Sequence, residues 1–328
     1  MIQSTASLLG NALAHYEFVM EEPFGIAVDA TDVDDATFWA TASIKGNVLH
    51  IDASTAVAEQ ITELWERLDG FEGIDADVMV RNSLVWLLLH ETQHAELGHF
   101  TLMGTARISE GHPPSFGLVS RPQMPQAFGD LPAATLAALP FCLEMQADHN
   151  AIALMVEQYS TGEWGILRKR VAAMVAMTVL IERADLDRKG NPRSHPQAAT
   201  RLFQLLGYVH QLPLTPAMME AREHGRGSLN PADIPDQSEL NAYFEQVTKP
   251  CLETARHIIA QSEVSSLDDL GNDEAFFHDL DIIANNQTAR FSRLQTPGAQ
   301  ELVRLIDHNN LIMAALNQPI PWAPTPQT

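Results

Sequence analysis

The chain has 328 residues, 45% of them hydrophobic, enough for one large or two small domains with a sizeable core, which excludes global disorder. Its formal net charge of −22, from 42 acidic and 20 basic residues, argues against nucleic acid or an anionic membrane as main partner. A basic protein or peptide partner stays compatible with it. The cysteines, Cys142 and Cys251, are far apart and support neither a disulfide framework nor a cysteine metal site, so a reducing compartment is the default. No apolar run is long enough to span a bilayer, and the first twenty residues lack the basic region of a signal peptide. The expectation is a soluble, cytoplasmic protein.

In chain order, residues 1–15 read as a short helix. Phe38 to Ile44 alternates loosely, Lys45-Gly46-Asn47 carries turn residues, and Val48 to Asp52 reads as a second strand, which predicts a β-hairpin. Ala53-Ser54-Thr55 caps a helix to about Leu68, with Ile61, Leu64 and Trp65 on one face. A helix over 78–99 follows, nearly all apolar from Ser83 to Leu89. Residues 104–140 are rich in Gly, Pro and Ser. They predict a long loop, either a lid or binding loop or a mobile insertion, with a helical piece at Ala133 to Ala138.

Helices are then predicted at 141–159, 164–184, 197–209, 215–224, 237–262 with an interruption near Pro250, 272–285 and 298–316. The Pro-rich tail 319–328 is expected to be disordered. The fold class is mainly α with a small N-terminal β-sheet. The composition shifts near Gly225 to Asp236, and the chain is read as a motif-bearing domain over 1–212 and a C-terminal helical region over 213–318.

The chemistry concentrates in His90-Glu91-Thr92-Gln93-His94, the H-E-x-x-H pattern of zinc hydrolases. On a helix His90 and His94 lie one turn apart on one face, so both imidazoles reach one Zn²⁺. Glu91 points about a quarter turn away, too far round to be a ligand on that face but within reach of a water beside the metal. The bland reading is two hydrogen-bonded helix histidines.

A catalytic zinc takes a third protein ligand, with His99, Glu144, Asp148, His149 and His195 as candidates. Glu144 and Asp148 are i and i+4 on an otherwise apolar helix face, where two carboxylates are costly unless something positive meets them. A zinc would supply that charge. Glu144 would bind it and Asp148 would accept a hydrogen bond from the far nitrogen of a ligand histidine. The alternative is an exposed carboxylate pair. His99, nine residues after His90, misses the metzincin spacing and is expected to end the motif helix. Ser194-His195-Pro196 suits a helix start, with Ser194 near the cap, His195 turned into a cleft and Arg201 able to pair with a carboxylate.

Together, His90 to His94 with His99 five residues on, Glu144 with Ala147 and Asp148, and Ser194-His195-Pro196 with Arg201 resemble the gluzincin metallopeptidases of the CAAX prenyl protease and heat-shock protease family. Soluble minigluzincin and phage-exclusion (Lit-type) peptidases are similar in plan. The resemblance covers about residues 40–205 and implies a zincin-like core. It implies His90, His94 and Glu144 as zinc ligands, Glu91 as general base and Asp148 as the residue orienting a ligand. It places His195 and Arg201 beside the metal, where His195 steadies the oxyanion or binds zinc at rest. It also implies that the hairpin is the edge strand along which extended peptides bind. Gln93 departs from the small residue often found before the second histidine, the membrane members' long spans are missing, and residues from about 214 match nothing in the family. The expectation is a soluble zinc endopeptidase acting on a protein or peptide substrate. The alternative is a catalytically silent zincin-fold regulatory or interaction protein.

Overall fold

The computed structural model describes residues 4–68, 75–103, 107–110, 128–187, 193–226, 228–262, 264–284 and 288–316. They form a mainly helical protein with one small sheet. The tail 319–328 and most of 104–127 lie outside the described residues.

A 3-10 turn, Ala6–Leu8, leads into helix α1, Leu9–Met20. This helix begins and ends later than the sequence suggests; ahead of it the Asp32 carboxylate accepts the Ala6 N–H at 3.2 Å, and Glu21 at φ +60° follows its end. Strands β1 (Ala27–Val33), β2 (Ala40–Lys45) and β3 (Val48–Ser54) follow. The predicted hairpin is present, with Lys45 opposite Val48 and Gly46 at φ +63° in the turn, a conformation glycine adopts without strain. A fourth strand, β4 (Arg107–Glu110), lies within the stretch expected to be loop, and the sheet order is β1-β3-β2-β4. β1 is parallel to β3, and β4 is antiparallel to β2. Both hairpin strands are therefore interior, and among the described residues the edges are β1 and β4. The hairpin is not the edge strand that the resemblance implies.

Helix α2 (Thr55–Arg67) leads to the central helix α3 (Ala76–Glu96). The Asp75 side chain caps α3, accepting from the Val78 N–H at 3.3 Å. Every residue from Ser83 to His94 is buried. An all-round buried helix needs cover on every side, and α1, α2, the sheet and two later helices provide it. Those two are α5 (Ala133–Val156) and α6 (Trp164–Asp187), which follow a short α4 (His99–Met103).

The predicted 141–159 helix thus begins eight residues earlier, running through Pro140. Pro140 is the eighth residue of α5, inside the helix, where it removes one helical N–H. Next come α7 (Ala198–Gln211), α8 (Thr215–Glu223), α9 (Gln237–Tyr243), α10 (Lys249–Ser262), α11 (Asp273–Ala284) and α12 (Pro297–Ala315). The interruption expected near Pro250 is a π-helical turn, Phe244–Thr248, whose wider ring absorbs the missing donor. α10 packs on α6, and α12 packs on α5 and α7. No helix among the described residues is long and apolar enough to cross a membrane.

Candidate metal centre

Two crossing helices build the site. α3 presents His90 and His94 on one face, and α5 presents Glu144 and Asp148 on the face that packs against it. His90 Nε2 lies 3.2 Å from His94 Nε2 and 3.3 Å from Glu144 Oε2. His94 Nε2 lies 3.7 Å from Glu144 Oε1. A tetrahedral ion with bonds of about 2.1 Å needs ligand atoms about 3.4 Å apart, so these spacings fit the edges of such a site. Glu144 Oε2 is buried and has no hydrogen-bond partner among the described residues. A carboxylate oxygen withdrawn from water without a donor is costly, and a cation removes that cost. The buried His90, His94 and Glu144 group could therefore hold a metal ion.

The surrounding residues fix the candidate ligands. The Asp148 carboxylate lies 3.0 Å from His90 Nδ1 and accepts two bonds of 2.7 Å from Arg201, at Nε and Nη2. Burial alone would raise the Asp148 pKa, but the Arg201 guanidinium and His90 outweigh it and hold the carboxyl down at about 2. An ionised carboxylate only accepts, so with the His90 proton on Nδ1, 3.0 Å from Asp148, Nε2 would keep its lone pair. Trp86, one turn before His90, packs at 5.6 Å from the His90 ring, with the Arg201 guanidinium 5.8 Å above the indole.

His195 enters from the segment ahead of α7. Its Nε2 lies 3.6 Å from Glu144 Oε2, and its Nδ1 lies 3.2 Å from Asp185 Oδ2 at the end of α6. Ser194 is not a helix cap as expected. Its hydroxyl donates to Asp185 Oδ1 at 2.9 Å and sits 2.8 Å from His195 Nδ1. Carboxylates from other helices cap α7 instead. Glu182 accepts from the Ala198 N–H at 2.8 Å and Glu301 from the Gln197 N–H at 3.0 Å.

His99 does not end the motif helix. Gly98, at φ +71°, closes α3, and the chain folds back so that His99 opens α4. His99 Nδ1 then lies 2.9 Å from His94 Nδ1. Burial drives the His99 pKa down to about 3, against a hydrogen bond that His99 donates to Gln146. Glu91 is fully buried on α3 next to His90.

No protein-family model, no curated protein and no solved structure matches this chain. The reading therefore rests on the chain's own geometry.

Asp185 and Gln146 were not legible as site residues. Asp185 sits near the end of an apolar helix in what reads as a polar turn, and Gln146 lies between the two carboxylates that draw attention. Gln146 lies two positions from each carboxylate, about 200° round the helix and so on the opposite face, where nothing in the sequence marks it.

Proposed function

We propose that the protein is a zinc-dependent peptidase. Two imidazoles and one carboxylate form a donor set suited to zinc with a position left for water. When bound, zinc supplies an activated water and polarises the carbonyl to be attacked. Glu91 takes the proton from that water and returns it to the departing amine. Asp148 and Arg201 hold His90 in the tautomer that binds. Asp185 holds His195 by Nδ1 and stabilises its protonated form, which donates from Nε2 to the developing oxyanion. The observation that carries the reading is the buried His90–His94–Glu144 set at 3.2 to 3.7 Å, with Glu91 next to the first histidine on α3.

One observation favours a second reading. His90, Glu91 and His94 are each 0% exposed, as in a zinc site that only fastens helices together. A catalytically silent regulator of zincin type would hold zinc and hydrolyse nothing.

The test is zinc content and peptide hydrolysis of the purified chain. Wild type is expected to carry about one zinc and to cleave an unstructured protein such as casein. Glu91→Gln is expected to keep the zinc and lose about 10²- to 10⁴-fold in rate. A wild-type rate for Glu91→Gln overturns the mechanism, zinc without any hydrolysis supports the silent reading, and no zinc overturns the site.

A further inference from the structure

A second line of buried polar groups leaves the site on the side away from Asp148. It runs from His94 on α3 to His99 on α4, then to Gln146 on α5, and ends at Asn309 on α12. All four side chains are buried, His94, His99 and Asn309 at 0% exposure. His99 Nε2 lies 3.1 Å from Gln146 Oε1. Gln146 Nε2 donates to Asn309 Oδ1 at 2.6 Å and to Met313 Sδ at 3.6 Å.

Donor and acceptor chemistry fixes the direction of every bond. A thioether sulfur accepts and never donates, so the Gln146 nitrogen faces α12 and its carbonyl faces His99. A carbonyl only accepts, so His99 donates from Nε2. A neutral imidazole carries one N–H, and a doubly protonated His99 would bury a charge beside a cation site. His99 Nδ1 therefore holds a lone pair. The 2.9 Å contact between His94 Nδ1 and His99 Nδ1 is then a hydrogen bond that His94 donates.

We infer that His99, Gln146 and Asn309 are positioning residues that lock His94 in its Nδ1–H tautomer, so that Nε2 faces the metal with its lone pair. This rests on the metal reading of the site. It makes α12, in the region that the family resemblance does not reach, part of the metal centre. The two ligand histidines are thereby fixed by different means: His90 by a carboxylate paired with arginine, His94 by a neutral chain of side chains.

The test reads the tautomers directly. Long-range ¹⁵N–¹H spectra of histidine-labelled protein are recorded with and without zinc. His99 is expected to carry its proton on Nε2 in both forms, and His94 on Nδ1. Zinc affinity is then measured by competition with a chelator. His99→Leu is expected to weaken it by about ten- to a hundred-fold, and Gln146→Leu and Asn309→Leu in the same direction by less. His99→Asn, which puts an acceptor where Nδ1 stands, is expected to restore affinity to within a few fold. A role in packing alone predicts that leucine does better than asparagine. His99 protonated on Nδ1, or equal losses for His99→Asn and His99→Leu, overturns the inference. A wild type that takes up no zinc overturns the metal reading instead, while the metal-free spectrum still decides the tautomers.

Discussion

Two buried carboxylates, Glu144 and Asp279, show what separates a site from a fastener. Asp279, on α11, is 0% exposed and saturated with donors. It accepts from the Gln295 N–H at 2.9 Å, the Thr296 N–H at 2.8 Å and the Thr296 hydroxyl at 2.7 Å. Its geometry ties α11 to the start of α12, and nothing further is needed to balance it. Glu144 is 6% exposed and faces three imidazoles at 3.3 to 3.7 Å, with Oε2 accepting from none of them. Burial is common to both, but only the second has an oxygen with no donor among the described residues, which a cation would balance. Satisfaction of the buried group, more than its depth, distinguishes the two roles.

The sharpest way to break this comparison is to remove each carboxylate and follow stability with and without zinc. Zinc at about a thousand times its Kd is expected to stabilise the wild type by about 4 kcal/mol, and to do nothing for Glu144→Ala. Without zinc, Glu144→Ala is expected to lie within about 1 kcal/mol of wild type, because no hydrogen bond to Oε2 is lost. Asp279→Ala is expected to cost about 3 kcal/mol, leaving two backbone donors and a hydroxyl unmatched, yet to keep its response to zinc. Urea unfolding of the three proteins, with and without zinc, reads all of this. A zinc response in Glu144→Ala, or none in Asp279→Ala, breaks the distinction.

Acid gives a second lever on the comparison, because several buried groups have depressed pKa values. Burial holds His149 down at about 4 and His99 at about 3, below the ordinary 6.5 of histidine. Their folded forms bind fewer protons than the unfolded chain, so their contribution is fully present above about 6.5 and is lost as pH falls towards 4 and 3. Asp148, held at about 2 against an ordinary 3.8, adds a loss that begins below 3.8. The urea midpoint of metal-free protein is therefore expected to fall steadily from pH 7 to pH 4.5. His149→Phe is expected to flatten part of that slope, and an unchanged slope counts against buried neutral histidine as its source.

Much of this arrangement was legible because it depends on spacing along single helices. His90 and His94 on one turn, and Glu144 and Asp148 on another, follow from the period of 3.6. The mainly helical class and the hairpin around Gly46 were legible for the same local reason. What escaped depends on contacts between distant segments. β1 and β4 are held by pairing with β3 and β2. Pro140 reads as a boundary, yet packing on α3 and α12 carries α5 back to Ala133. His99 was read by its distance from His90, whereas its role comes from the reversal at Gly98. Ser194 and Asp185, nine residues apart, show their partnership only once α6 and the segment before α7 are placed side by side.

The smallest expected effect concerns a satisfied polar group on the motif helix itself, away from the candidate metal site. Ser83 Oγ accepts from Trp65 Nε1 at 3.1 Å and donates to the Ala173 carbonyl at 3.1 Å, joining α2, α3 and α6. Ser83→Ala leaves the buried indole N–H unmatched, and the expected cost is about 1 to 2 kcal/mol in urea unfolding. The position lies seven residues, about two turns, before His90, so helix phase and ligand spacing are kept. Zinc affinity is therefore expected to stay within a few fold of wild type. A tenfold loss would mean that the site depends on how α3 is seated between α2 and α6. The separation between fastening groups and metal-facing groups would then hold for Asp279 and fail along α3.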